Sequence, residues 1–336
     1  MSISEIKKFP AFFFNNGRTK TFQKDSEIII AVTNLKKKFG DFYAVNGVDF
    51  HIQKGELFSL LGPNGAGKST IIRMLTTTLK LSEGNVTISG YNLKKEKEEI
   101  KKLIGVCPQN NVIYGFLSAE QNVEFVAKMH GLANEEAKER AQYLLDVMNI
   151  SGRKDSSRNF SGGMKKRLSL IMSLIHSPRI LFLDEPSAGL DPQARRLVWN
   201  FIKSLKQFGI TIILTTHDMA EADVLSDHIA IIDKGKRIAF GTPDELKEKS
   251  NEDQEVDIIF KHDKDCANTK KKLQYLSNIT EIIELNRIGL KIRFKGGINT
   301  LKNEILENSE HLISLNLKER TLEDVFLKLT GRSLRD

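Results

Sequence analysis

Four short apolar runs in the first 250 residues predict buried strands. They occupy residues 28–32, 57–61, 180–183 and 210–214, and the second reads Leu-Phe-Ser-Leu-Leu. Each run is nearly continuous rather than alternating, which is typical of strands covered on both faces in a parallel sheet. Two further runs, 229–232 and 237–240, flank the segment 233–236 and predict a hairpin. Because helical patterns separate the other runs, the fold class is α/β with a mostly parallel sheet.

Residues 112–177 have helical periodicity and predict a helical subdomain inserted into the sheet domain. Ser118 and Gln121 have the spacing of a capping box, and the helix that they begin ends at Gly131. The next helix carries its apolar residues on one face: Ala137, Ala141, Leu144, Leu145 and Met148. Ser161 is the predicted N-cap of a third helix, which ends at Ser177 before a proline.

A charged, polar segment from Lys247 to Glu255 predicts a linker to a second domain. Strands are predicted at 256–260, 279–285, 288–294 and 313–317, with helices at 270–276 and 298–306. This βαββαβ order predicts a small α+β domain of the split-βαβ type. A last helix begins with Thr321 and Asp324 as its capping pair and ends at Gly331. The predicted divisions are an N-terminal extension (1–27), a main domain (28–247) and a C-terminal accessory domain (248–336).

The charge and composition exclude several classes of protein. The formal net charge is +8, but residues 251–336 contain 15 basic and 15 acidic residues, so the excess lies in residues 1–250. The C-terminal region is therefore not a basic arm for nucleic acid. No apolar run approaches the roughly 18 residues of a membrane span. Two cysteines, Cys107 and Cys266, cannot form a disulfide framework, fit a reducing compartment and are predicted to be buried packing residues.

Residues 62–69 read Gly-Pro-Asn-Gly-Ala-Gly-Lys-Ser and match the phosphate-binding pattern G-x-x-x-x-G-K-[ST]. They join a predicted strand to a predicted helix, which is the context that the pattern requires. The glycines let backbone N–H groups converge on a phosphate, Lys68 supplies a cation, and the Ser69 hydroxyl is placed for Mg²⁺. The residues of this loop predicted to bind nucleotide are Gly62, Asn64, Gly65, Ala66, Gly67, Lys68, Ser69 and Thr70.

Two further segments carry candidate chemistry. The strand at 180–183 ends in Asp184 and Glu185, which places one carboxylate beside the metal and a second where it can accept a proton from water. Ser161 is followed by Gly162 and Gly163, so the predicted helix start presents bare N–H groups and a positive dipole end to an anion. The sequence thus predicts a second phosphate-binding surface in addition to the loop at 62–69.

Together these residues resemble an ATP-binding cassette (ABC) ATPase over about residues 28–247. The motifs that match are Phe39 before the phosphate loop, Walker A at 62–69, Gln109 of the glutamine loop, the signature Ser161-Gly162-Gly163, Walker B at 180–184, Glu185, the loop 187–191 that ends at Asp191, and His217. The resemblance implies a P-loop NTPase core with an added antiparallel β part, and hydrolysis of ATP with Mg²⁺.

The resemblance also implies a role for each matched residue. Glu185 is the catalytic base, His217 orients it and the water, and Lys68 stabilises the transferring phosphoryl group. Ser69, Gln109 and Asp184 are the implied metal ligands, with Gln109 also catalytic, and Phe39 stacks on adenine. Phe42 and Tyr43 are alternatives for the stacking residue. Asn110 and Asn111 compete with Gln109, although the preceding proline favours Gln109.

In this family two cassettes pair head to tail, so the implied partner is a second, identical or homologous cassette. Ser161, Gly162 and Gly163 would then contact the ATP held by the partner's phosphate loop, and Asp191 is a further residue that the resemblance implies binds nucleotide. ATP is part of the interface, and its hydrolysis releases the pair.

The type of cassette is inferred from spacing and from the signature. Lys68 and Ser161 are 93 residues apart, which leaves no room for the long coiled coil of the DNA-repair type, and the chain carries a single cassette. The Phe-Ser-Gly-Gly-Met signature and the ending 322–332 resemble motor subunits of daunorubicin-resistance-type multidrug exporters. We therefore expect a cytoplasmic subunit, peripheral on the membrane through a separate permease, that exports drugs or lipid-like molecules. The alternative is a soluble ABC ATPase acting on nucleic acid or the ribosome.

Overall fold

The computed structural model describes residues 27–249, 254–295, 312–318 and 320–331. It divides into two compact units between Pro243 and Asp244. The predicted N-terminal extension, apart from residue 27, lies outside the described residues. In the part of the chain that is described, no helix is both long and apolar enough to cross a membrane.

The first unit alternates strands and helices. In chain order its elements are β1 (Ile28–Phe39), β2 (Phe42–Gln53), β3 (Leu57–Leu61), α1 (Lys68–Leu75), β4 (Glu83–Ile88), β5 (Tyr91–Asn92), α2 (Lys97–Leu103), β6 (Ile104–Cys107), α3 (Ala119–Met129), α4 (Asn134–Val147), a 3₁₀ turn (Ser157–Asn159), α5 (Gly162–Leu174), β7 (Ile180–Asp184), α6 (Pro192–Gln207), β8 (Thr211–Thr216), α7 (Met219–Leu225), β9 (His228–Asp233) and β10 (Lys236–Gly241). A short helix, α8 (Pro243–Lys249), begins at the division between the units.

The central sheet has the strand order β10-β9-β3-β8-β7-β6 and is parallel except for the β9–β10 hairpin. Its strands supply side chains alternately to two hydrophobic cores: Leu181 and Leu183 of β7 face one, and Ile180 and Phe182 face the other. Burial on both faces explains the continuous apolar runs, and the predicted parallel sheet is confirmed. The carboxyl ends of β3, β6, β7 and β8 lie along one edge, where ligands bind in open α/β sheets.

A second, antiparallel sheet of order β2-β1-β4-β5 covers one face of the central sheet. Its apolar residues share a core with α1 and with that face of the central sheet. The other face packs against α3, α4, α5 and α6. The P-loop NTPase core with an antiparallel β part and inserted helices is thereby confirmed.

Two of the three inserted helices, α3 and α5, begin where their caps were predicted. The Ser118 hydroxyl accepts a hydrogen bond from Gln121 N, and the Gln121 side chain accepts one from Ser118 N, so the capping box is present. Ser161 caps α5 through a hydrogen bond from Met164 N. Each cap pairs otherwise unsatisfied N–H groups at a helix start.

The second unit contains β11 (Gln254–Phe260), α9 (Asp263–Leu273), β12 (Ile279–Asn286), β13 (Gly289–Phe294), β14 (Leu312–Lys318) and α10 (Leu322–Thr330). Its sheet has the order β12-β13-β11-β14 with every neighbouring pair antiparallel, as in a split-βαβ fold. The predicted helix at 298–306 lies outside the described residues. The capping box of Thr321 and Asp324 and the left-handed Gly331 at the helix end are confirmed.

The sequence placed the start of α9 too late, at Lys270, whereas the helix begins at Asp263. Its first turns are polar, and only Cys266, Thr269 and Leu273 are buried. A helix with such a narrow buried stripe gives little hydrophobic periodicity. Cys107 and Cys266 are both buried and free, as predicted.

Candidate active site

The phosphate loop connects β3 to α1 and packs tightly on its neighbours. A Cβ atom on Gly62 would lie 2.1 Å from Ile232 O, and one on Gly67 would lie 2.5 Å from Ala44 O. Gly67 also has φ of +106°, a conformation that favours glycine. These glycines let the loop curl between β2 and β9 with its backbone turned toward the sheet edge.

Lys68 lies buried at the centre of this loop. Its Nζ donates to Gly62 O at 2.7 Å and to Pro63 O at 3.0 Å, and lies 3.9 Å from Glu185 Oε1. Burial lowers the pKa of Lys68, while the nearby carboxylates of Glu185 and Asp184 oppose that change. The loop thus holds a cation beside the Glu185 carboxylate. Of the other predicted loop residues, Ala66 is buried, Asn64 and Gly65 are exposed, and Ser69 and Thr70 are half-buried.

Ser69 and Asp184 meet where a divalent cation would be held. The Ser69 hydroxyl donates to Asp184 Oδ1 at 3.0 Å, and the Thr215 hydroxyl donates to the same oxygen. A hydroxyl and a carboxylate side by side are hard oxygen donors of the kind that Mg²⁺ takes together with substrate phosphates. The residues present therefore fit Mg²⁺.

The Glu185 carboxylate is the centre of the site. Its Oε1 accepts from His217 Nδ1 at 3.2 Å, and its Oε2 accepts from Gln109 Nε2 at 3.3 Å. Its backbone has φ of +51°, and its N–H donates to both Thr215 O and Thr215 Oγ1 at 3.1 Å. Hydrogen bonds from two side chains and a nearby Lys68 ammonium hold the carboxylate toward the edge of the sheet. The four residues predicted to be catalytic are thus brought together.

Gln109 and His217 lie just after the carboxyl ends of β6 and β8, where both side chains reach Glu185. Gln109 follows Cys107, the last residue of β6, and His217 follows Thr216, the last residue of β8. Asp218 caps α7 through its Oδ1, which accepts from Ala220 N at 2.9 Å, so the chain turns directly after His217. Parallel strands that end at one edge bring these side chains to the same carboxylate.

Two residues of this region were not predicted from the sequence. Thr215 is fully buried in β8 and bonds both the Asp184 carboxylate and the Glu185 backbone. A polar residue in an apolar strand, beside the strand that ends in Asp184, is the signal that would have found it. Lys166 is buried against backbone carbonyls of Pro108, Gln109 and Asp184. Nothing in the sequence distinguishes it from Lys165.

The signature residues form a separate, open surface. Ser161 and Gly162 are exposed, and a Cβ atom on Gly162 would meet nothing within 4 Å. Phe160 is buried in the core, and Met164 Sδ accepts from the Arg153 guanidinium at 3.3 Å. Hence the N–H groups at the start of α5, and not these two unusual side chains, face outward.

Asp191 and Phe39 lie at the margins of the site. The Asp191 carboxylate caps α6 by accepting from Gln193 N at 3.0 Å and Ala194 N at 2.9 Å, so its contacts within the chain are those of a helix cap. Phe39 is 48% exposed at the end of β1, and Phe42, its partner across the hairpin, is 68% exposed. Lys37 Nζ lies 4.8 Å from the centroid of the Phe39 ring.

Comparison with known proteins places this geometry in a family. A family model described as ABC transporter matches residues 45–188. The linearmycin resistance ATP-binding protein LnrL of Bacillus subtilis is 37% identical over 92% of this chain and 100% of its own length. The daunorubicin resistance ATP-binding protein DrrA3 of Streptomyces coeruleorubidus is 34% identical over 92% and 98%. The Nod factor export ATP-binding protein I of Cupriavidus metallidurans is 35% identical over 92% and 99%.

Solved structures agree with these relatives. The ATP-binding subunit of an ABC transporter matches with a TM-score of 0.61 and 29% identity, over 66% of this chain and 92% of that one. The dimeric post-hydrolysis state of the ATP-binding cassette MJ0796, bound to ADP and Pi, matches with a TM-score of 0.59 and 26% identity, over 63% and 98%. The predicted ATPase and the predicted resemblance to drug-export subunits are confirmed. The chain therefore belongs to the ABC transporter family as an ATP-hydrolysing, ATP-binding subunit.

Proposed function

We propose that this subunit drives export of drug-like or lipid-like molecules by working as one of a pair of cassettes on a separate membrane permease. The observation that carries the proposal is likeness over most of the chain: proteins named for linearmycin resistance, daunorubicin resistance and Nod factor export align with 92% of it. The alignment therefore includes most of the C-terminal accessory domain as well as the cassette. On this proposal the subunit lies on the cytoplasmic face of the membrane, held by its permease.

Within one cassette, Glu185 accepts the proton of the attacking water, and His217 and Gln109 keep its two oxygens in place. Lys68 and the loop N–H groups stabilise the charge on the transferring phosphoryl group. Ser69 and Asp184 would hold Mg²⁺, which would supply positive charge to neutralise the phosphates. A preorganised carboxylate of this kind costs little reorganisation in the transition state.

The exposed signature makes a second cassette part of the site. The Ser161 hydroxyl caps its own helix by accepting from Met164 N. The N–H groups of Gly162 and Gly163 are then available for an external anion. We assign these N–H groups to the ATP of the partner cassette. Asp191 is kept in the proposal as a further nucleotide-binding residue. Closure of the pair then depends on ATP, because nucleotide fills the interface.

A groove beside Gln109 is the proposed docking site for a cytoplasmic helix of the permease. It has a volume of about 540 Å³ and is lined by Val112, Tyr114 and Met129, which are large exposed apolar residues. His130 and His176 stack in it with ring centroids 3.9 Å apart. Burial lowers the pKa of His176 to about 4, so that its ring is neutral at physiological pH. Such a lining suits the apolar face of an amphipathic helix.

Substitution of the catalytic carboxylate tests the paired-cassette mechanism. In Glu185→Gln the amide keeps the shape of the side chain but cannot accept the proton, so kcat should fall by about 10²- to 10⁴-fold while ATP still binds. With ATP and Mg²⁺ this variant should elute as a dimer in size-exclusion chromatography. A matched control is Glu56→Gln, since Glu56 is buried just before β3, at the opposite edge of the sheet, where His228 Nδ1 donates to it at 2.8 Å.

The control should hydrolyse ATP at the wild-type rate. If Glu185→Gln elutes only as a monomer with ATP and Mg²⁺, the shared-site mechanism is wrong. Turnover within tenfold of wild type would instead remove Glu185 from its role as the base.

Copurification distinguishes the export proposal from the nucleic-acid alternative. The proposal predicts that affinity-tagged chain, extracted in mild detergent from its native cells, retains an integral membrane protein. Recovery of rRNA or DNA with strongly salt-dependent association, and no membrane protein, would favour the alternative.

A further inference from the structure

Lys166 joins the signature helix to the catalytic edge of the sheet. It lies in the second turn of α5 and is only 5% exposed. Its Nζ donates to Pro108 O at 3.3 Å, to Gln109 O at 3.2 Å and to Asp184 O at 3.3 Å. An ammonium group has three N–H donors, and these three carbonyls satisfy all of them.

The three carbonyls belong to the backbone of the catalytic machinery. Pro108 and Gln109 follow β6, and Asp184 ends β7, its parallel neighbour. The same two backbone segments carry the Gln109 amide, which bonds Glu185, and the Asp184 carboxylate, which bonds Ser69. A displacement of α5 is therefore transmitted through one charged side chain to the groups around Glu185.

We propose that Lys166 is a positioning residue that makes hydrolysis at this chain's own phosphate loop depend on the position of its own signature helix. The inference rests on the proposed pairing of cassettes, because in that arrangement the partner's nucleotide holds the start of α5. When the helix is held, Lys166 fixes the backbone of Gln109 and Asp184, and the Gln109–Glu185 hydrogen bond keeps its geometry. Occupation of one site thereby prepares the other.

Three variants test this role in the full chain. Lys166→Met keeps an unbranched side chain of similar length and removes all three donors. Its kcat should fall by roughly 10- to 100-fold, the effect of misplacing a catalytic group, with KM for ATP changed less than threefold. Lys166→Arg restores charged donors and should recover most of the turnover. Lys165→Met is the control on the same helix and should keep wild-type kcat.

A double variant separates this inference from the proposed pairing. Glu185→Gln combined with Lys166→Met should still form the ATP-dependent dimer, since Ser161 and the two signature glycines are unchanged. If Glu185→Gln alone forms no dimer, the pairing is wrong whatever Lys166 does. If it does form a dimer, the positioning role is overturned by unchanged kcat in Lys166→Met, or by no recovery in Lys166→Arg. Joint loss of kcat, ATP binding and thermal stability in Lys166→Met would also overturn it, because it would show a purely structural role.

Discussion

The Thr215 hydroxyl should be a main support of the Asp184 carboxylate and of the Glu185 backbone. It donates to Asp184 Oδ1 and accepts from Glu185 N at 3.1 Å, and the residue is fully buried. Thr215→Val replaces the hydroxyl with a methyl group of nearly the same size. The substitution therefore removes hydrogen bonds without opening a cavity.

The expected loss of stability follows from the bonds that remain. Asp184 keeps the Ser69 hydroxyl at 3.0 Å but loses a charged hydrogen bond, which contributes about 1.5–3 kcal/mol. Glu185 N keeps the Thr215 carbonyl at 3.1 Å, so its loss is small. The free energy of unfolding should fall by about 2–3 kcal/mol, which lowers Tm by about 4–12 °C for a unit of this size.

Urea denaturation followed by tryptophan fluorescence measures this change. Trp199 is the chain's single tryptophan and lies in α6, so the signal reports unfolding of the first unit. Thr215→Ser is the control: it keeps the hydroxyl and loses one methyl group, at a cost of about 1 kcal/mol. Since Asp184 is less firmly oriented in Thr215→Val, half-maximal ATPase activity should also need about 10- to 100-fold more Mg²⁺.

Equal destabilisation by valine and serine would refute this reasoning, because it would assign the effect to packing rather than to the hydroxyl. An unchanged Mg²⁺ requirement in Thr215→Val would show that Ser69 alone suffices to orient Asp184.

Two further predictions concern the margins of the site. Phe39→Ala should raise KM for ATP about tenfold with kcat retained, because it removes a stacking surface worth about 1–1.5 kcal/mol. Phe42→Ala should change KM less than twofold. If ATPase assays show the larger KM change in Phe42→Ala, the stacking residue is Phe42. Burial raises the pKa of Glu221 above its ordinary value of 4.5, so the folded state binds a proton more tightly than the unfolded state. The free energy of unfolding of the wild type should therefore fall relative to that of Glu221→Gln as pH rises from about 4.5 through the raised pKa. If the difference in free energy of unfolding between the wild type and Glu221→Gln does not change over that pH range, the raised pKa of Glu221 is wrong.

Much of the fold followed from local patterns because those patterns are themselves physical requirements. Continuous apolar runs such as 180–183 require burial on both faces, and the capping pair Ser118 and Gln121 fixes a helix start. The first turns of α9 were missed because their exposed polar residues carry no periodic signal. Strand β2 was likewise not predicted, because Asn46 and Gly47 interrupt the alternation of its buried residues between Val45 and Val48.

The sequence by itself determined the chemistry: a glycine-rich loop ending in Lys68 and Ser69, a strand ending in Asp184 and Glu185, and a capped helix start with two glycines. Their types and spacing are enough because each motif builds its own local geometry. Only the tertiary structure decided that His217 and Gln109 bond opposite oxygens of Glu185, and that Lys166 spans two strand ends. His217 and Gln109 lie 32 and 76 positions from Glu185 in the sequence. Lys166 lies 57 positions from Gln109 and 18 from Asp184. No local pattern encodes these contacts, since they arise where parallel strands end at a common edge of the sheet.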